Sequence, residues 1–236
     1  MKAVLLIALN FVREQRWPIL VLLVWVVLLD VLGLSIDLRR SREDLLFLFK
    51  QIGIYVVAFS IFFGGSAIYN ERKTRRILAV LSKSIARKQY LSGLVTGVTA
   101  ASGIYCFALG ITGSWTLAPG GFPIHQVWFL MLSLVCACML AGTVALMFST
   151  FLNPFIAAGA TAAMLGLPAL AARLWTEQWG YVIPVYPLTM NVVNATFDSP
   201  GHPSWKLIAL AILETLFFWI ISAQIFSYVD IAVAVE

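Results

Sequence analysis

Along this chain, six apolar stretches of the ~20 residues that cross a bilayer as helix alternate with short polar connections. The pattern predicts spans over about Trp17 to Ser35, Leu46 to Tyr69, Tyr90 to Gly113, Val127 to Phe151, Pro154 to Leu174 and Trp205 to Val229. Residues 1–16 differ, with Lys2, Asn10, Arg13, Glu14, Gln15 and Arg16 on one arc and Val4, Leu5, Ile7, Ala8, Phe11 and Val12 on the other. That arrangement predicts an interfacial amphipathic helix. It is expected to be retained, because the apolar run after Trp17 is too long for a signal peptide and no small-residue cleavage site follows.

Three connections carry structure of their own. Thr112 to Gln126 contains Pro119, Gly120, Gly121 and Pro123, which predict an irregular external loop. Leu152 to Pro154 is a tight turn. Residues 175–204 combine Trp179, Tyr181 and Tyr186 with Pro184 and Pro187, which suits a re-entrant or surface-lying pair of short helices better than an extended loop.

Composition places all of this in a membrane. The chain is 61% hydrophobic and 11% charged, with mean hydropathy +0.93, whereas roughly a quarter of residues are charged in soluble domains. The expected fold is an all-α integral membrane protein with one membrane domain over residues 1–236 and no room for a separate soluble enzyme domain. Cys106, Cys136 and Cys138 fall within apolar spans and read as small core residues rather than a disulfide or metal set.

The net charge of +5 is unevenly distributed. Seven of the sixteen basic residues, Arg72, Lys73, Arg75, Arg76, Lys83, Arg87 and Lys88, lie within 70–89 beside the single acid Glu71. Ile77, Leu78, Leu81 and Ile85 recur there at helical spacing, so the segment predicts a short amphipathic helix or a bent pair. With residues 1–16, this side carries ten Lys and Arg against six on the other, which orients both termini and the basic segment to the cytoplasm. Arg39, Arg40 and Arg42 run against that bias.

The segment resembles the first cytoplasmic loop of ABC-2 type permeases, the membrane-spanning subunits of ATP-binding cassette exporters. The resemblance rests on an acid at the end of span two, here Glu71, then Val80-Leu81-Ser82-Lys83-Ser84-Ile85-Ala86-Arg87, then Tyr90-Leu91-Ser92-Gly93 entering span three. Ser84 stands where the family usually has proline, Ala86 where it has a second serine, and Leu94 where a lysine follows the glycine. The resemblance implies the ABC-2 exporter fold, a second permease copy or homologue, and a separate ATPase subunit that uses ATP and Mg. It also implies a coupling helix that docks on that ATPase, carried here by Glu71, Arg72, Arg76, Ile77, Leu81, Lys83, Ile85, Arg87 and Tyr90. An apolar stripe with a basic rim suits a groove edged by carboxylates; the plainer reading is binding of anionic lipid headgroups.

The chain contains no Gly-x-x-x-x-Gly-Lys-Ser/Thr phosphate loop, so ATP-driven work needs a partner and no cofactor is expected on this chain. The predicted function is an exporter's permease subunit in the inner (plasma) membrane, moving a hydrophobic or amphiphilic substrate, and not an enzyme. The alternatives are an intramembrane enzyme, an ATPase-independent carrier and a membrane scaffold. Ala100-Ala101-Ser102-Gly103 lacks the first glycine of the Gly-x-Ser-Gly motif of rhomboid proteases, and no later span offers a histidine base. His125 and His202 both fall in predicted external loops. A carrier should show inverted repeats and broken spans, and neither stands out.

Charges inside spans are costly and so carry information. Asp30 and Lys50 lie at similar depths and are expected to form an ion pair. Glu214, the deepest acid, is expected to face a translocation path, pair with Arg173 or contact the external segment. Gly64, Gly65, Gly93, Gly97 and Gly103 are expected to let helices approach closely.

Overall fold

The computed structural model describes residues 2–35, 42–73, 86–117, 124–194 and 205–228. Its long elements are helices α1 (Lys2–Glu14), α2 (Arg16–Ser35), α3 (Arg42–Lys73), α4 (Arg87–Leu117), α5 (Ile124–Ser149), α6 (Pro154–Leu174) and α7 (Trp205–Tyr228). A 3-10 turn (Glu177–Tyr181) and a π-helical turn (Pro187–Asn191) lie between α6 and α7, and no strand occurs among the described residues. This is an all-helical protein of membrane character. Five helices, α3 to α7, are long and apolar enough to cross a bilayer. The apolar part of α2 described with its side chains, Arg16–Leu28, is shorter.

Helix α5 is the hub. Its most apolar window is 78% buried, against 17% for α6. The sequence reason is its run of small side chains: Ser133, Ala137, Cys138, Ala141, Gly142 and Thr143 are all buried and let neighbours come close. Ser60 on α3 donates to the Cys138 carbonyl at 2.6 Å. One turn further along both helices, a Cβ on Gly64 would overlap the Gly142 carbonyl oxygen. Matched one-turn steps mean that α3 and α5 run in the same direction, backbone against backbone. Gly142 is also closed from α4, since a Cβ there would sit 2.6 Å from Val98 Cγ1. Gly103, by contrast, has nothing within 4 Å and takes no part in close approach.

The turn between α5 and α6 follows from Asn153, whose side chain accepts from the Ile156 amide at 3.0 Å and caps α6, with Pro154 in its first turn. After α6, the prolines break the chain into short helical pieces that are drawn inward. Ile183, Val185, Leu188, Val192 and Val193 are buried, and the Leu188 carbonyl accepts from Ser133 Oγ at 3.0 Å. Residues 183–193 thus form an inserted plug against α5, with Gly53 of α3 leaving room beside Thr189.

Helix α1 is not merely an interfacial cylinder. A Cβ on Gly93 would lie 2.6 Å from Ile7 Cβ, and one on Gly97 would lie 2.9 Å from Phe11 Cβ. The glycines are one turn apart on α4, and so are the two side chains on α1. Ile7 and Phe11 therefore sit in a trough on α4, while Leu5, Leu6 and Leu9 stay exposed on another face. The chain passes into α2 with little interruption, the Ile19 amide donating to the Gln15 carbonyl at 3.0 Å.

Candidate functional site at the feet of the basic segment

The centre of the basic segment, with Arg76, Ile77, Leu81, Lys83 and Ile85, lies outside the described residues, and of Arg72 only the backbone is described, in the last turn of α3. What the structure describes is how the segment is attached. Its incoming foot is Glu71 near the end of α3, and its outgoing foot is Arg87 to Tyr90 at the start of α4.

The resemblance places Glu71, Arg87 and Tyr90 on the docking element. The structure turns all three toward the chain's own interior. Tyr90 is 1% exposed and Glu71 6%. The Tyr90 hydroxyl lies beside the Glu71 carboxyl, within electrostatic reach though short of full hydrogen-bond geometry. The Tyr90 ring stacks on Phe226 of α7, with centroids 6.3 Å apart and planes 18° from parallel. Arg87 completes the cluster. Its Nη1 donates to the Phe226 carbonyl at 2.8 Å and to the Ser227 carbonyl at 2.9 Å, and its Cζ lies 5.9 Å from the Phe226 ring centroid.

The chemistry follows from helix ends. Helix carbonyls toward the C-terminal end lie on the negative side of the helix dipole, so a guanidinium there makes charge-assisted hydrogen bonds in a favourable field. Arg87 ties the start of α4 to two carbonyls in the last described turn of α7. The cluster joins α3 through Glu71, α4 through Arg87 and Tyr90, and α7 through Phe226, at the level where the basic segment leaves and re-enters.

Other candidate residues sit elsewhere. Asp30 is described only by its backbone, in α2, so its pairing with Lys50 falls outside the described residues. Glu214 is partly buried in α7, and its Oε2 has no hydrogen-bond partner among the described residues. Arg173 is not its partner: its guanidinium lies over the Tyr186 ring, Cζ to centroid 6.0 Å. Ser102 is buried and faces the Cys138 thiol, a packing position between α4 and α5. Cys106, Cys136 and Cys138 are free and buried. His125 is exposed in the first turn of α5, and His202 lies outside the described residues.

Phe226 and Ser227 are the functional candidates that sequence reasoning missed. The available signal was an Arg at the mouth of span three, but nothing in the spacing pairs it with carbonyls 139 residues away. Searches against family models, curated proteins and solved structures found no match for this chain.

Proposed function

We propose that this chain is the membrane-spanning permease subunit of an ATP-binding cassette exporter, with residues 70–89 as the element through which a separate ATPase subunit acts. In this reading α2 counts as the first of six spans, both termini and the basic segment are cytoplasmic, and a second copy or homologue completes the path. The location is the inner membrane. ATP and Mg belong to the partner, since the chain has no phosphate loop of its own.

The observation that carries the reading is the attachment of the basic segment. A cluster of Lys and Arg that only held headgroups would work equally well on slack connections. Here both feet are rooted in buried side chains, and Arg87 fastens one of them to the end of α7. That is what a transmission element requires: rigid levers on either side of a contact surface, so that a shift at the surface repacks helices. The division of labour is sharper than the resemblance alone implies. Ile77, Leu81, Ile85 and the cations Arg76 and Lys83 supply the docking surface, while Glu71, Arg87 and Tyr90 hold its base.

The test is co-purification and transport with an ATPase encoded beside this gene. Leu81→Gln combined with Lys83→Glu is expected to abolish complex formation while leaving membrane insertion and the thermal stability of the chain unchanged. A double variant that still binds the ATPase and exports overturns the reading.

A further inference from the structure

Two grooves of similar size open on the sides of the helix bundle, and their linings differ in one respect. The groove between α2 and α3, about 470 Å³, is lined by Val21, Leu22, Val24, Trp25, Leu28, Tyr55 and Phe59, with no charged group among the described residues. The groove between α3, α6 and the inserted plug, about 440 Å³, has an apolar floor and, among the described residues, one cation, Arg173, and no acid. Arg173 stands in the last turn of α6. Its guanidinium lies over the Tyr186 ring at 6.0 Å, which ties its position to the plug.

The lining on α6 runs from Ala162 to Arg173, a helical length of about 16 Å, or half the hydrocarbon thickness of a bilayer. Gly166 and Ala169 keep that side shallow, and Ile54, Val57 and Ile61 of α3 form the opposite wall. The trough therefore starts at a fixed cation near one end of α6 and continues as an apolar channel toward the middle of the helix. A cation snorkelling at the head of an apolar trough matches one chemistry, an acyl chain that ends in an anionic group.

We propose that this groove binds one anionic membrane phospholipid, its phosphate on Arg173 and an acyl chain laid along Ala162, Gly166 and Ala169. The site is at the end of the bundle opposite the Arg87–Phe226 cluster, and its occupancy is measured on the permease chain alone. Its failure would leave the transport reading standing, and the reverse is also true.

The experiment is native mass spectrometry of the full chain in detergent with an equimolar mixture of phosphatidylglycerol and phosphatidylcholine of identical acyl chains. The wild-type chain is expected to retain phosphatidylglycerol about tenfold over phosphatidylcholine. Arg173→Gln should bring the ratio to about one without reducing the total lipid held. Gly166→Leu, or Ala162→Leu at an exposed position if the first variant folds poorly, should lower retention of the anionic lipid at least fivefold. Unchanged selectivity in Arg173→Gln, or unchanged retention in both leucine variants, would mean adventitious annular lipid and overturns the proposal. Disulfide cross-linking of Ala162→Cys to a second copy at the same yield with and without phosphatidylglycerol would show that a protein surface fills the groove, and overturns it as well.

Discussion

Arg87 and Phe226 are joined three ways: Nη1 of Arg87 donates to the Phe226 carbonyl at 2.8 Å, the guanidinium lies 5.9 Å from the Phe226 ring centroid, and Tyr90, one turn on from Arg87, stacks on the same ring. The start of α4 and the last described turn of α7 are thereby one unit, although 139 residues separate them.

Removing this tie should loosen the last described turn of α7. Arg87→Ala is expected to cost about 1–3 kcal/mol, the range for hydrogen bonds made by charged groups, and Arg87→Lys should recover part of this because a single ammonium cannot reproduce a fixed guanidinium plane. Thermal denaturation in detergent measures the loss, and amide exchange locates it. Exchange that rises across residues 222–228 agrees with the account; uniform change along the chain does not.

The stack can be separated from the hydroxyl. Phe226→Ala is expected to destabilise by about 3–5 kcal/mol, as for other large aromatic truncations, whereas Tyr90→Phe keeps the ring and should cost less than about 1.5 kcal/mol. In a double-mutant cycle, Tyr90→Ala with Phe226→Ala should show a coupling of at least about 0.5 kcal/mol. Additive effects would mean that the rings do not support one another.

The fit of α1 on α4 makes a reciprocal prediction. Gly97→Ala places a methyl 2.9 Å from Phe11, which should cost about 1–3 kcal/mol through overpacking. Adding Phe11→Leu opens room and should return part of that loss, so the double variant is expected to be more stable than the sum of the single effects. A sum without compensation in thermal shift would show that Gly97 does not seat Phe11.

At the hub, backbone contact should outweigh the hydrogen bond. Gly64→Ala drives a methyl into the Gly142 carbonyl, a rigid neighbour, and is expected to prevent close packing of α3 on α5 and sharply reduce folded yield. Ser60→Ala, which removes only the bond to Cys138, should cost about 0.5–1.5 kcal/mol. The reverse order would place the strength of this helix pair in the hydroxyl.

Much of this architecture is legible in the chain because a bilayer imposes its own arithmetic. Apolar runs near twenty residues mark α3 to α7, and Asn153-Pro154 marks the start of α6 by local capping chemistry. The glycine pair Gly93 and Gly97 announces close approach. Its occupant, Ile7 and Phe11 of α1, is invisible, because periodicity gives the face of a helix but not the helix opposite. Depth and partner are likewise lost for the prolines after α6, where local breaking is evident and the inward tuck against Ser133 is not. The site divides the same way. Positive charge and apolar spacing single out residues 70–89, yet they do not separate Arg87, which is turned inward to α7, from residues placed to meet a partner. That distinction is a long-range contact and requires the fold.

Contact with a separate ATPase is what would distinguish residues 70–89 as a transmission element from a simple membrane anchor. A photo-crosslinking amino acid placed at Leu81 of the full chain in its native membrane, with the adduct identified by mass spectrometry, tests it most directly. The expected result is one dominant protein adduct carrying a nucleotide-binding phosphate loop, lost when Lys83→Glu is added. Adducts to phospholipid alone, in cells that contain the neighbouring ATPase, would contradict the claim and return residues 70–89 to a membrane anchor.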